Sequence, residues 1–226
     1  MKKSLFAFIA LVTFSMPAIC SATPPRMGPY VSGFVGVSVP TNTNVTGFDS
    51  RVGNLDDRVE FDPGINIGGT GGFDFGFLRL EGELSYKHGE MARVTDRFDG
   101  TRFNDVDGRV GALAMMGNAF LDLHNPSPIT PYFGGGIGFA AMHQSDTFGT
   151  NTSTGDRTEL YRSDDDTVFA YQAGAGLEIA LSRMLSLDIG YRYFRTSSAT
   201  FNRDASIENE LKFESHNAAV GVRVKF

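Results

Sequence analysis

The feature that most constrains this chain is the alternating length of its connecting segments. Eight stretches alternate apolar and polar residues with period two. The links between them run long, short, long, short, long, short, long. Long links reach roughly 17–24 residues and short ones a few, as in barrels that pair long external loops with short turns at the opposite rim. A compact water-soluble domain rarely needs four structureless connections of that length. Beyond the N-terminus no stretch sustains a 3.6-residue apolar period, so a helical or α/β fold has no support.

The predicted strands cover 29–39, 64–75, 77–87, 109–123, 129–143, 167–181, 184–196 and 214–226. The third is the clearest: Leu78, Leu80, Gly82, Leu84 and Tyr86 alternate with Arg79, Glu81, Glu83, Ser85 and Lys87. Strands of about 11–15 residues suit a tilted membrane crossing with some projection beyond the bilayer. An open sheet in hydrocarbon would leave its edge amides unpaired, so the eighth strand must close on the first. The expected fold is all-β: an eight-stranded antiparallel up-and-down transmembrane β-barrel with both ends in the periplasm.

Eight strands leave a bore just wide enough for side chains to fill it, so the polar face is expected inside. Parity puts Asp74, Glu81, Glu83, Asp122, Glu178 and Asp188 there, with Arg79, Lys87, Arg192, Arg223 and Lys225. Six acids against five bases favour a salt-bridged plug over an open pore, because paired charges can satisfy one another. The lipid face should carry an aromatic belt at each interface. Phe75, Phe77, Phe133 and Phe226 are expected near the periplasmic one, and Tyr86, Phe169, Tyr171 and Tyr193 near the external one.

Residues 1–22 read as a cleaved signal peptide: basic Lys2 and Lys3, an apolar run from Leu5 to Phe14, the breaker Pro17, and small residues up to Ala22. That run is too short to span a bilayer. A short segment, 23–28, then precedes the barrel domain, 29–226. Cys20 is the one cysteine, and the preceding Pro17-Ala18-Ile19 does not fit a lipidation site. The mature chain is expected to lack thiols and disulfides. The whole chain has formal charge −6, and loss of two lysines makes the mature part more negative, which argues against nucleic-acid binding.

Several segments resemble a known family. PYFGGGIG at 131–138 resembles the fifth-strand motif of the outer membrane protein β-barrel domain family, the OmpA-like and Opa-like "porin family" proteins. FLRLEGELSY at 77–86, NAFLD at 118–122 and DIGYRY at 188–193 are similar to its third, fourth and seventh strands. The resemblance implies the fold and an outer-membrane location. Its members include adhesins, surface antigens and membrane-stabilising proteins, and fold does not transfer function. Since the chain stops at Phe226, the peptidoglycan-binding domain of longer OmpA-type proteins is not expected.

No catalytic, cofactor or metal residue is expected. Gly134-Gly135-Gly136-Ile137-Gly138 is no nucleotide loop, because no helix follows it. His143-Gln144-Ser145 looks like the catalytic pair of outer-membrane lipid A deacylases, but the rest of the chain does not, and an ordinary pair at the barrel rim is the better reading. Asp164-Asp165-Asp166 lacks the spaced oxygens of a calcium loop and reads as a solvated acidic stretch. The expected function is a non-enzymatic outer-membrane surface protein, structural or adhesin- or antigen-like, displaying four loops. A narrow channel and a lipid A-modifying enzyme are the alternatives. Expected partners are outer-membrane lipid and lipopolysaccharide, the assembly machinery, and a host or extracellular ligand for the loops. A monomer is expected.

Val220, Val222, Val224 and Phe226 fall on one face of the last strand, the pattern of a C-terminal assembly signal. Deleting Phe226, or replacing it by Asp, should lower the amount of folded protein in outer-membrane fractions. Undiminished recovery would remove Phe226 from that signal.

Overall fold

The computed structural model describes residues 27–226 except 42, 50–52, 97–101, 105, 162 and 202–206. The expected signal peptide and the segment up to residue 26 lie outside the described residues.

Eight long strands form the wall: β1 (Gly28–Pro40), β2 (Gly64–Asp74), β3 (Leu78–Asp96), β4 (Arg109–Asp122), β5 (Ile129–Gln144), β6 (Asp164–Ala180), β7 (Leu185–Thr196) and β8 (Glu214–Lys225). Each pairs antiparallel with its chain neighbours, and β8 returns to β1 with Val31 opposite Val224 and Val35 opposite Val220. The ring is therefore closed. One short turn shows how the chain reverses at the end that carries the short connections. Gly76 adopts φ +97, and its N–H donates to the Asp74 side chain at 2.7 Å. A Cβ would be strained at that φ.

Inward glycines make room for inward rings. A Cβ on Gly176 would lie 2.5 Å from the Tyr132 ring, and one on Gly68 would lie 2.6 Å from Phe34. Outward residues such as Val35, Ile67, Leu84, Met115 and Ile137 are exposed, as a lipid-facing wall requires.

Two expectations need correction. First, the interior is not polar throughout. At the external end the inward positions become apolar: Val110, Ala112, Ala114 and Met116 on β4, Ala140 and Met142 on β5, and Val168 and Ala170 on β6. With Met91, Val94, Phe194 and Phe213 they form one buried cluster.

Second, the long connections are not structureless. They hold strands Thr43–Asp49, Gly53–Asp62, Arg102–Asn104, Thr147–Asn151, Arg157–Tyr161, Ala199–Phe201 and Ile207–Leu211. Gly53–Asp62 pairs with the outer half of β3 and with Thr43–Asp49, which pairs with Ile207–Leu211. From the other side of β3, Arg102–Asn104 leads through Thr147–Asn151 to Arg157–Tyr161. All four connections thus share one sheet. The physical reason for both corrections is the same. Once β3 leaves the lipid, water lies outside it, so Glu90 and Arg93 turn outward while Met91 and Val94 turn in. A register shift between Glu60 and Phe61, opposite Arg93 and Met91, resets the alternation.

The second and third connections are tied at Asp107. Its carboxylate accepts the Phe148 N–H at 2.8 Å and meets the Arg157 guanidinium at 2.6 Å. The Phe148 N–H first, and then Arg157, hold this carboxyl below the usual carboxylate range. A lowered folded-state pKa stabilises above the unfolded value of about 3.9 and loses that stabilisation as pH falls through the folded value. Asp107→Ala should speed protease cleavage within 144–166 at pH 7 and leave the barrel's urea midpoint unchanged. The parent should show the same loosening only below about pH 4. Equal cleavage of parent and variant at pH 7 would mean the tie does not hold the head together.

Candidate functional site

The lumen is filled by two tiers of ion pairs beneath the apolar cluster. The lower tier begins at Lys225, whose Nζ is 2.9 Å from Asp74 Oδ2 and 2.9 Å from Glu178 Oε1. Arg223 bridges Glu178 and Asp188, the latter at 2.8 Å. Arg79 reaches Glu178 at 3.3 Å and Asp122 at 3.5 Å, with its guanidinium 4.5 Å from the Tyr132 ring centre.

The upper tier centres on Arg192, which pairs with Glu83 and, at 3.3 Å, with Glu81. Lys87 donates to Ser85 Oγ at 2.7 Å, lies 3.9 Å from Glu83, and sits 4.4 Å from the Phe194 ring centre. It is the joint between the charged tier and the apolar cluster above.

The side chains are held from strands on opposite walls. Neutral donors complete the carboxylates. The Tyr30 hydroxyl donates to Glu81 at 2.6 Å and the Tyr132 hydroxyl to Asp188 at 2.8 Å. Asn118 donates to Glu81 and Glu83, and Gln172 donates to Glu83 at 2.8 Å. Such completion matters, because a buried charge is tolerable only when paired and hydrogen-bonded. Tyr30, Ser85, Asn118, Gln172 and Tyr132 lie outside the charged set that parity assigns to the lumen. The signal was available: Asn118 has the parity of Asp122, and Gln172 that of Glu178. What the alternation does not carry is which polar groups meet across the bore.

Outside the lumen, Val220, Val222 and Phe226 face outward and are exposed, and the Phe226 N–H donates to the Pro29 carbonyl at 3.0 Å. Val224 shares that face and is half-buried. Phe75, Phe77, Phe133, Tyr86, Phe169 and Tyr171 are likewise exposed on the wall.

His143 and Ser145 do not engage one another. His143 Nδ1 lies 2.6 Å from Asp165, while Ser145 Oγ accepts the Arg109 N–H at 2.9 Å. Asp166 is a structural tie, accepting the N–H groups of Thr167 and Thr200, each at 2.9 Å. Among the described residues, no three or more His, Cys, Asp or Glu side chains converge as a metal site.

The family model for the outer membrane protein beta-barrel domain matches residues 6–226. Outer membrane protein PagN of Salmonella typhimurium is 25% identical over 252 residues, covering 97% of this chain and 99% of PagN. An uncharacterized protein of Brucella abortus is 36% identical over 103 residues, which is 44% of this chain and 35% of that protein's length. This chain therefore matches only about a third of the Brucella relative. The crystal structure of OprG from Pseudomonas aeruginosa superposes with a TM-score of 0.57 at 11% identity, covering 89% of this chain and 98% of that one, which speaks for the fold. With its closed eight-stranded ring, its lipid-facing apolar wall and a family match over nearly its whole length, this chain belongs to the outer membrane protein beta-barrel domain family and resides in the outer membrane.

Proposed function

We propose that this protein is a non-enzymatic display barrel of structural or adhesin type. Its lumen is a permanent plug, and its four connections form one folded interaction surface. The observation that carries this reading is the sheet that runs through all four connections, resting on the buried apolar cluster over the lumen. A transport route would need a path through that cluster. A display surface needs the order that the shared sheet provides. The chain is inserted by the assembly machinery through Val220, Val222, Val224 and Phe226, and acts as a monomer among lipid and lipopolysaccharide. It needs no cofactor or metal. The separate engagements of His143 and Ser145 support leaving lipid A chemistry aside.

The chemistry of the partner follows from charge. Segments 41–63, 88–108, 144–166 and 197–213 carry nineteen acids against nine bases. A surface of that sign attracts basic protein segments and repels sulfated polysaccharide. Purified, refolded protein should bind basic extracellular proteins with an affinity that falls between 50 and about 300 mM salt, as screened exposed charges require. It should pass through a heparin column. Retention on heparin, or salt-insensitive binding, would defeat this reading of the head.

The plug makes a separate prediction. Glu81→Ala plus Glu83→Ala removes both carboxylates facing Arg192. Breaking a buried pair costs ~3–5 kcal/mol, so the urea midpoint should fall, with flickering conductance in planar bilayers. Partial hydration would reduce the loss. The parent should be silent. A steady unit conductance from the parent would instead promote the narrow-channel reading.

A further inference from the structure

The two halves of the lumen wall differ. The bulky charged chains of the upper tier, Glu81, Glu83 and Arg192, come from β3 and β7. Facing them, β1, β2 and β8 contribute small hydroxyls and amides: Ser32, Ser38, Asn66, Thr70, Ser215 and Asn217. Two of these carry buried oxygens with no hydrogen-bond partner in the protein, Ser38 Oγ and Asn66 Oδ1. Ser38 is fully buried and Asn66 is 3% exposed. They are diagonal neighbours on one face, since Asn66 lies opposite Gly36 and Gly64 opposite Ser38. Asn217, directly across from Ser38, already spends its amide on Ser215 and the Arg192 carbonyl.

Buried polar atoms are nearly always paired, so each exception calls for a partner. The other unpartnered atoms belong to side chains of the ion-pair network, such as Arg79, Asp122 and Arg223, or to Gln172, which hydrogen-bonds it. The charges of the β1–β2–β8 wall, Asp74, Arg223 and Lys225, belong to the lower tier, and around Ser38 and Asn66 the neighbouring inward residues are uncharged. There Asn66, Ser32, Thr70 and Asn217 line a cavity of about 20 Å³. One water needs about 10–15 Å³ measured this way and two to four polar partners. Glu81 and Asp188 also border the space, together with Arg192 and Arg223, so it carries no strong net charge that would select an ion.

We propose that this wall is a hydrated seam: a site for bound water at Asn66, bridging it to the neighbouring hydroxyls and amides. Water here supplies the donor that Asn66 Oδ1 lacks. It also makes the stretch around Ser38 and Asn66 the deformable part of a wall whose lower end is fixed by Asp74, Arg223 and Lys225.

The test uses the full refolded barrel in detergent micelles. Water-to-protein nuclear Overhauser measurements should show long-lived water at the Asn66 side-chain amide and at the backbone N–H of Thr70. In Asn66→Leu, those contacts should disappear at Thr70, and the urea midpoint should fall below that of the parent. Absence of water contacts in the parent overturns the proposal, whether or not the variant folds. So does an unchanged or raised midpoint in Asn66→Leu, because replacing a dry orphaned amide with an apolar group of similar size should not destabilise.

Discussion

Within the hydrocarbon, each backbone N–H and C=O must find its partner inside the protein, and that demand dictates the rest of the structure. A sheet with an edge fails it. The return of β8 to β1 meets it, with registered pairing from Tyr30 opposite Lys225 to Pro40 opposite Ser215. The terminal Phe226 contributes too, donating its N–H to the Pro29 carbonyl across the seam. Closure with eight strands then sets a bore the size of its own side chains. A polar inner face in so narrow a space cannot keep the bulk hydration its charges need, so those charges have to neutralise one another. Arg79, Arg192 and Arg223 each contact two carboxylates, and the carboxylates in turn recruit Tyr30, Tyr132, Asn118 and Gln172.

Such pairs are poor evidence for net stability, since desolvation offsets much of the attraction. Their value is in specificity. A one-residue slip of β3 would turn Arg79, Glu81, Glu83 and Lys87 into the lipid and Leu80 and Leu84 into the bore. The charged lumen therefore fixes the register of the wall strongly. The glycines are the geometric complement, because rings such as Phe34 and Tyr132 occupy the space their missing side chains leave.

The wall was legible in the sequence because a barrel strand has a single repeating rule. Period-two alternation located eight strands, and most of their ends agree with the structure to within a residue; β3 is the large exception and β6 begins three residues early. The same rule broke down above the membrane. There the solvent outside changes from lipid to water, so the polarity of both faces reverses while the strand continues. His88–Asp96 reads as a polar link because its large apolar positions, Met91 and Val94, are few and their alternation is interrupted by the bulge at Ala92. Pairings in the head are also long-range. Thr46 meets Glu210, and Phe103 meets Asn151, which no local pattern announces. Within the lumen, parity told which residues face inward but carried nothing about who meets whom across the bore.

The reversal has a consequence for what the protein can do. Inside the bilayer, an outward position has to be apolar and an inward charged one is committed to the ion-pair network. Above it, inward positions such as Val110, Met142 and Phe213 are committed to the cluster, and outward ones such as Glu90 and Arg93 face water. Outward residues of the head are therefore the set that neither the lipid nor the lumen network constrains. They can take any recognition chemistry without disturbing closure, while the shared sheet keeps their backbone in place. Here that freedom is occupied by acids, and three of the ties that reach across connections, Asp107 to Arg157, Asp166 to Thr200 and Glu60 to Arg93, use carboxylates. Acidity thus serves both the internal order of the head and the field it presents outward.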